Sequence, residues 1–259
     1  MEAAKAMRAL AGYTADQWGL VTTAQANIAG VDNETLARLV EAGLLDHVRR
    51  GAYAATAAGD DAIREQKAAW LLLNPSVPAW RRPRVDPHGG VLSHRTAALI
   101  HRVGDLPAGT IEFTVPRRRA SKHPDLSFRI AQLPDNDVTL IDGLPVTTVE
   151  RTIADLIADH IDGGHATDII EQALRRGQVE PDTLVARLEQ NITRQVSRKK
   201  AVDAEAKINR FQENLVEIRE TGAAVDALRE NLAIMLEEFA DTTVHPENRT
   251  KRRGFRFTQ

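Results

Sequence analysis

The sequence predicts an α+β protein, and three observations carry that prediction. Residues 19–56 read as helix, sharp turn, capped helix and basic hairpin, the pattern of a helix-turn-helix with a wing. Residues 91–182 read as a helix, several short alternating runs and then further helices. From residue 183 onward, apolar residues recur at helical spacing. The expected architecture is an N-terminal winged helix-turn-helix followed by a mixed α/β domain and a helical C-terminal segment.

A first helix is expected over residues 3–18, with Leu10, Tyr13, Trp18 and Leu20 packed against the two helices that follow. Gly12 weakens it by about 1 kcal/mol relative to alanine. Thr22 and Thr23 carry hydroxyls suited to cap a helix over residues 24–29, and Gly30 stops that helix in a left-handed conformation. Asp32 caps a second helix through Ala42, and Glu34 puts acid in its first turn. Leu36, Leu39, Val40 and Leu44 give it one apolar face, and Gly43 closes it. Strands over residues 45–48 and 52–55 flank Arg49-Arg50-Gly51, where glycine permits a tight hairpin. In such a unit the second helix enters the major groove. The residues expected to face a duplex are Thr22, Thr23, Gln25, Asn33, Glu34, Thr35, Arg38, His47, Arg49, Arg50 and Tyr53. The plainer reading of the same pieces is a small helical bundle with a hairpin.

A bridging helix over residues 59–73 follows, with Asp60 or Asp61 as its cap and Ile63, Ala69, Trp70 and Leu73 turned inward. Asn74-Pro75-Ser76-Val77-Pro78 breaks it, and residues 80–90 form an irregular connector. The next domain opens at Val91. Ser93 caps a helix over residues 94–101; residues 110–116 and 126–130 alternate as strands on either side of a basic loop. Residues 138–141 and 144–147 flank Asp142-Gly143, a hairpin signal. Thr148 caps a helix over residues 149–158, and another over 166–176 reaches Gly177. Further on, Leu184, Leu188, Ile192 and Val196 form one apolar stripe, and Ile208, Phe211, Leu215 and Ile218 form another. A last helix carries Leu228, Leu232, Met235, Leu236 and Phe239, ahead of a basic tail over residues 246–259. These stripes pack against the domain or against a partner helix. The expected divisions are 1–58, 59–90, 91–182 and 183–259.

Composition narrows the function classes. A chain of 259 residues suits about two domains of 100–200 residues each. The absence of cysteine excludes disulfides, thiolate metal sites and cysteine nucleophiles, and it fits a reducing cytoplasm. The N-terminus lacks the apolar core of a signal peptide, and the longest apolar run, residues 68–73, falls far short of a membrane span. With a net charge of −2 the molecule is not basic overall, yet its positive charge is clustered. Clusters occur at Arg49-Arg50, Arg81-Arg82 with Arg84, Arg117-Arg118-Arg119 with Lys122, Arg175-Arg176, Arg198-Lys199-Lys200 and Lys251-Arg252-Arg253. A solvated surface is the ordinary explanation of one such run; repetition at loops points to phosphate contacts. Arg81, Arg82, Arg84, His94, Arg95, Arg117, Arg118, Arg119 and Lys122 make up this candidate phosphate-contacting or partner-contacting surface.

No catalytic constellation stands out. HExxH, a phosphate-binding loop, a dinucleotide glycine pattern and GxSxG are all missing. Pro181-Asp182 with Glu205 and Lys207 imitates a nuclease signature, but in a helix residues two apart point away from each other. His94 and His101 lie two helical turns apart near His88, and interior or surface histidines explain them better than a metal pair. Arg151 and Asp155, four apart, form an ordinary helix ion pair or a brace between helix and sheet. Neither an enzyme activity, nor a cofactor, nor a metal is expected.

The chain resembles the AbiEi abortive-infection antitoxins of type IV toxin–antitoxin operons. The resemblance rests on Gly19-Leu20-Val21-Thr22, Ala24-Gln25-Ala26, Gly30-Val31 and Arg49-Arg50-Gly51-Ala52-Tyr53. It continues through Val91-Leu92-Ser93-His94-Arg95-Thr96-Ala97-Ala98, Phe113-Thr114-Val115-Pro116, and Gly143-Leu144-Pro145-Val146-Thr147-Thr148 into Arg151-Thr152-Ile153-Ala154-Asp155-Leu156. It implies a repressor that binds inverted repeats at its own promoter through the winged helix, with self-association on the DNA. It also implies a second domain that counters a nucleotidyltransferase toxin, with no stable complex required. Two departures stand out: the presumed recognition helix is acidic, with Arg38 its only basic residue, and the segment after Leu188 matches no family motif. A winged-helix repressor with a ligand-binding or oligomerisation domain and no antitoxin role is the competing reading.

Overall fold

The computed structural model describes residues 1–195 apart from Ala108, Ser121, Lys122, His160 and Asp162. The expected helices and basic tail beyond residue 195, together with Lys122, lie outside the described residues. Contacts divide the chain into two units, Met1–Asp155 and Leu156–Gln259.

The first unit begins with α1 (Ala3–Thr14), which ends four residues earlier than the sequence suggests. Trp18 and Gly19 both take positive φ (60° and 76°), and they redirect the chain into β1 (Leu20–Thr22). Only glycine fits at position 19, where a Cβ would lie 2.2 Å from the Ala58 Cβ. The helices α2 (Thr23–Ile28) and α3 (Asn33–Glu41) follow, then the hairpin of β2 (Leu45–Arg49) and β3 (Ala52–Ala55). These strands form a sheet of order β1-β3-β2, so the three-residue β1, which local pattern did not reveal, completes it. Ala6, Leu10, Val21, Ala26, Val31, Leu36, Leu39 and Leu45 form the core of this helical head.

The helix α4 (Arg64–Leu73) starts later than expected. Asp61 accepts from the Ile63 amide at 3.0 Å just ahead of it. Its apolar side joins Leu20, Ala52 and Ala54 of the first sheet to Leu92, Phe113, Leu144 and Val146 of the second in one continuous cluster. Trp18 belongs here rather than in the helical head: its ring meets Trp70 edge-on, 5.9 Å between centroids.

The second sheet has the order β6-β5-β4-β8-β7. Its middle strand, β4 (Val91–Leu92), is two residues long and runs parallel to β8 and antiparallel to β5. The others are β5 (Ile111–Val115), β6 (Leu126–Ile130), β7 (Val138–Ile141) and β8 (Leu144–Thr147). Asp142 and Gly143 join β7 to β8 with φ of 49° and 73°, as a two-residue hairpin requires. This turn is docked at long range: Trp18 Nε1 donates to the Asp142 carbonyl at 2.7 Å, and Lys67 pairs with its carboxylate.

The helix α5 (His94–His101) corrects one expectation. The Ser93 side chain does not cap it; the carboxylate of Glu112 on β5 instead accepts from the Arg95 amide at 2.7 Å. The polar residues of β5 are turned inward. Glu112 and Thr114 are buried against α5, and Thr114 donates to Ser93 Oγ at 2.9 Å.

At the other end of α5, His101 Nε2 donates to the Thr147 carbonyl at 2.7 Å. Burial pushes this imidazole below its ordinary pKa, although the Thr147 carbonyl and Glu150 act the other way. The unfolded chain therefore binds the proton first, and stability should fall as pH drops from about 6.5 towards the folded value. Urea midpoints measured from pH 7.5 to 5 should show that loss, and His101→Gln should lessen it. An identical pH dependence in the variant would remove His101 from the account.

The helix α6 (Val149–Ala158) crosses from the first unit into the second. Beyond it, α7 (Gly163–Arg175) buries Ala166, Ile169, Ile170 and Ala173, a stripe at helical spacing. The helix α8 (Pro181–Gln195) buries Leu184 and Leu188.

Candidate nucleic-acid interface

The local chemistry of the helix-turn-helix follows from four residues. Thr22 Oγ1 accepts from the Gln25 amide at 3.1 Å while Gln25 Oε1 accepts from the Thr22 amide at 3.0 Å, a reciprocal capping box. Gly30, at φ 80°, ends α2, and the Val31 amide returns to the Ala26 carbonyl at 2.8 Å. Asp32 Oδ1 then caps α3 by accepting from the Thr35 amide at 2.8 Å. Hydrogen bonding from Thr35 holds the Asp32 carboxyl below its ordinary range.

Thr35, Leu36 and Leu39 anchor α3 in the core, while Asn33, Glu34, Ala37, Arg38 and Glu41 face outward. Arg38 Nη2 donates back to Thr35 Oγ1 at 3.2 Å. The outward face of α3 therefore holds Asp32, Glu34 and Glu41 against one arginine. On the wing, His47 and Arg50 are exposed, and His47 meets the half-buried Tyr53 ring edge-on at 5.4 Å. Thr23 is half-buried beside the hairpin turn, with its amide donating to the Gly51 carbonyl at 2.9 Å.

Four of the residues expected on the duplex side are turned inward. Thr22 and Gln25 are fully buried: Thr22 Oγ1 also donates to the Pro75 carbonyl, and Gln25 shares hydrogen bonds with Gln17. Thr35 is buried at 1% exposure beneath α3. Arg49, only 9% exposed, pairs through Nη1 with Glu65 at 3.1 Å and through Nη2 with Asp125, away from the wing tip. Intramolecular hydrogen bonds and two carboxylates thus outcompete solvent for these groups, and Arg50 is left as the wing's outward cation.

The basic clusters separate in the same way. Arg82 is a structural brace and not a surface cation. Its guanidinium donates to the carbonyls of Trp70 (2.9 Å), Leu71 (2.8 Å), Asn74 and Val77, and lies 4.4 Å from the Trp70 ring. Burial brings its pKa down to about 10, against the pull of Asp86. His94 is likewise buried, at φ 53°, with Nδ1 2.9 Å from Ser93 Oγ. Arg84 pairs with Asp135, and Arg95 lies 3.8 Å from Glu112. Arg81 stays exposed. Arg117, Arg118 and Arg119 line a cleft of about 300 Å³ with His88 and Pro116. Arg117 donates to His88 Nδ1, and Arg119 donates to the His88 carbonyl at 3.0 Å and to the Leu73 carbonyl. Burial and the neighbouring Arg117 lower the Arg119 pKa, and Asp86 offsets them only in part.

The pair Arg151 and Asp155 is a brace with a third member. Arg151 Nε donates to Asp155 at 2.8 Å and Nη1 to the fully buried Asp137 at 2.7 Å, tying α6 to the turn before β7. Burial opposes the Arg151 charge, but the two carboxylates outweigh it and raise its pKa. For Asp155 burial prevails over Arg151, and its carboxyl is pushed up; Asp155 Oδ2 is buried without a hydrogen-bond partner. Sequence spacing showed Arg151 and Asp155 but not Asp137, which lies outside their helix.

Residues 11–56 match a family described as transcriptional regulator, AbiEi antitoxin. That segment resembles the regulator domain of the AbiEi antitoxins. The matched stretch runs from the end of α1 through β1, α2, α3 and the β2–β3 hairpin, so it takes in the whole three-stranded sheet and both helices of the turn. No curated protein matches the chain. Within this AbiEi-type domain the exposed acids of α3 limit favourable phosphate contacts. Among the described residues, no helix is long and apolar enough to cross a membrane, and no group of three acidic, histidine or cysteine side chains is placed to hold a metal.

Proposed function

We propose that this protein is a transcriptional autorepressor and antitoxin: it binds inverted repeats in its own promoter through the AbiEi-type domain and counters a nucleotidyltransferase toxin encoded beside it. The observation that carries the reading is the outward face of α3 beside an exposed wing arginine, within a segment matched to the AbiEi regulator family. Asn33 suits an adenine edge, Glu34 suits cytosine N4, and Arg38 suits guanine. With α3 this acidic, base contacts are few and the phosphate grip falls to Arg50 and to Arg117, Arg118 and Arg119, the loop that also offers a surface to the toxin. Such a protein works in the cytoplasm, needs no cofactor and performs no chemistry of its own.

The test is a fluorescence-anisotropy titration of the full chain on its own upstream DNA across a salt series. Arg38→Ala is expected to cost about 1–3 kcal/mol and to relax specificity at one base position. Arg50→Ala is expected to weaken every sequence alike and to lower the salt slope by about 1. Unchanged affinity in both variants would end the DNA reading. Growth rescue on co-expression with the adjacent gene's product tests the antitoxin half separately.

A further inference from the structure

The cleft lined by Arg117, Arg118, Arg119 and His88 holds positive charge that the described residues do not neutralise. None of the three guanidiniums forms an ion pair with a described carboxylate. Each carries five N–H donors. Arg117 spends one on His88 Nδ1, and Arg119 spends two on the His88 and Leu73 carbonyls. Arg118 is exposed and bonds to no described residue. The one carboxylate that offsets Arg119 is Asp86, which is buried and engaged elsewhere. Its Oδ1 accepts from the His88 amide at 2.8 Å, and Asn74 Nδ2 approaches its Oδ2 at 3.5 Å. Three cations against one anion leave two positive charges in excess, and a bound anion relieves their mutual repulsion.

The recess is shaped as well as charged. Two carbonyls pin the Arg119 fork in place, and Gly89 keeps its part of the lining bare, since a Cβ there would lie 2.8 Å from Asp86 Oδ2. Pro87 and Pro116 add apolar wall. At about 300 Å³ the cleft stands at the lower end of small-molecule sites. Guanidinium forks match phosphate oxygens bidentately. A phosphate monoester carries about −1.5 to −2 near neutral pH, which matches the excess, whereas each phosphate of a duplex backbone carries a single charge. We infer that this cleft is a binding site for the terminal phosphate of a small phosphate monoester, with its organic part against Pro87 and Pro116. Arg117 and Arg118 donate to the phosphate oxygens, and the pinned Arg119 supplies charge without moving. The proposed function places the same arginines on duplex phosphates, and on that reading a free monoester competes with the promoter and lifts repression.

The test uses the full chain at constant ionic strength, with phenyl phosphate as the probe and phthalate as an aromatic dicarboxylate of similar size. Without DNA, saturation-transfer NMR should show saturable phenyl phosphate binding, and phthalate should bind at least about tenfold more weakly. Arg118→Gln should weaken phenyl phosphate about tenfold or more with an unchanged melting temperature, while Arg81→Gln, an exposed arginine outside the cleft, should leave it unchanged. Equal binding of phthalate, no effect of Arg118→Gln, or an equal loss in Arg81→Gln overturns the assignment. So does a chain that binds its upstream duplex but not phenyl phosphate, because the arginines would then serve backbone phosphates alone. In an anisotropy titration, saturating phenyl phosphate should weaken duplex binding, and undiminished binding overturns the competition. A chain that binds phenyl phosphate but no duplex would sink the promoter reading and leave the site standing.

Discussion

Arg82→Ala is expected to lower the free energy of unfolding by about 3–5 kcal/mol. One guanidinium serves the carbonyls of Trp70, Leu71, Asn74 and Val77, and its removal strands several of them at once, each worth about 1–3 kcal/mol where water cannot replace the donor. The loss reaches the AbiEi-type domain too, because the braced segment supplies the Pro75 carbonyl to Thr22 and the Val77 carbonyl to Gln25. Arg82→Lys should recover only part of the loss, since an ammonium cannot span four acceptors in a planar fork. Urea unfolding followed by tryptophan fluorescence reports it directly, with Trp70 lying under the guanidinium. A change below about 1 kcal/mol would show that solvent satisfies those carbonyls equally well.

Arg151→Ala should be comparably damaging, at about 3–5 kcal/mol, because it leaves Asp137 and Asp155 buried without their cation. Removing a partner of a buried pair is far worse than replacing the whole group. The triple change Arg151→Met, Asp137→Asn and Asp155→Asn should therefore recover much of the loss. The pH dependence has a definite sign. Asp155 has its folded pKa raised, so as pH falls through that value the folded state takes up the proton first and this group's contribution to stability grows. Urea midpoints for the single and triple variants would settle the matter; similar midpoints would mean the three charges do not act as a unit.

What the sequence made legible was whatever depends on near neighbours. The Thr22 cap, the Gly30 stop, the Asp32 cap and the Asp142-Gly143 hairpin all act within a few residues and are legible at their positions, whereas the answering bond from Gln25, expected on the duplex side, is not. The strands β1 and β4 were not, since three and two residues show no period, and their ladders form with Ala52–Ala55, Ile111–Val115 and Leu144–Thr147 far along the chain. Side-chain direction failed for the same reason. Arg49 and Arg50 are indistinguishable in sequence, yet Asp125, seventy-six residues away, takes one of them out of the wing. Ser93 is the cap that local sequence offers to α5, and only the docking of β5 brings the Glu112 carboxylate, seventeen residues from Arg95, to that amide instead.

The sheet of the AbiEi-type domain carries Leu20, Ala52 and Ala54 into an apolar cluster completed by α4, Phe113 and Val146. The AbiEi-like segment is consequently no detachable cartridge. Excised on its own, it would present a bare oily flank and invite self-adhesion, so grafting it onto a foreign carrier calls for α4, or a substitute lid, to travel with it.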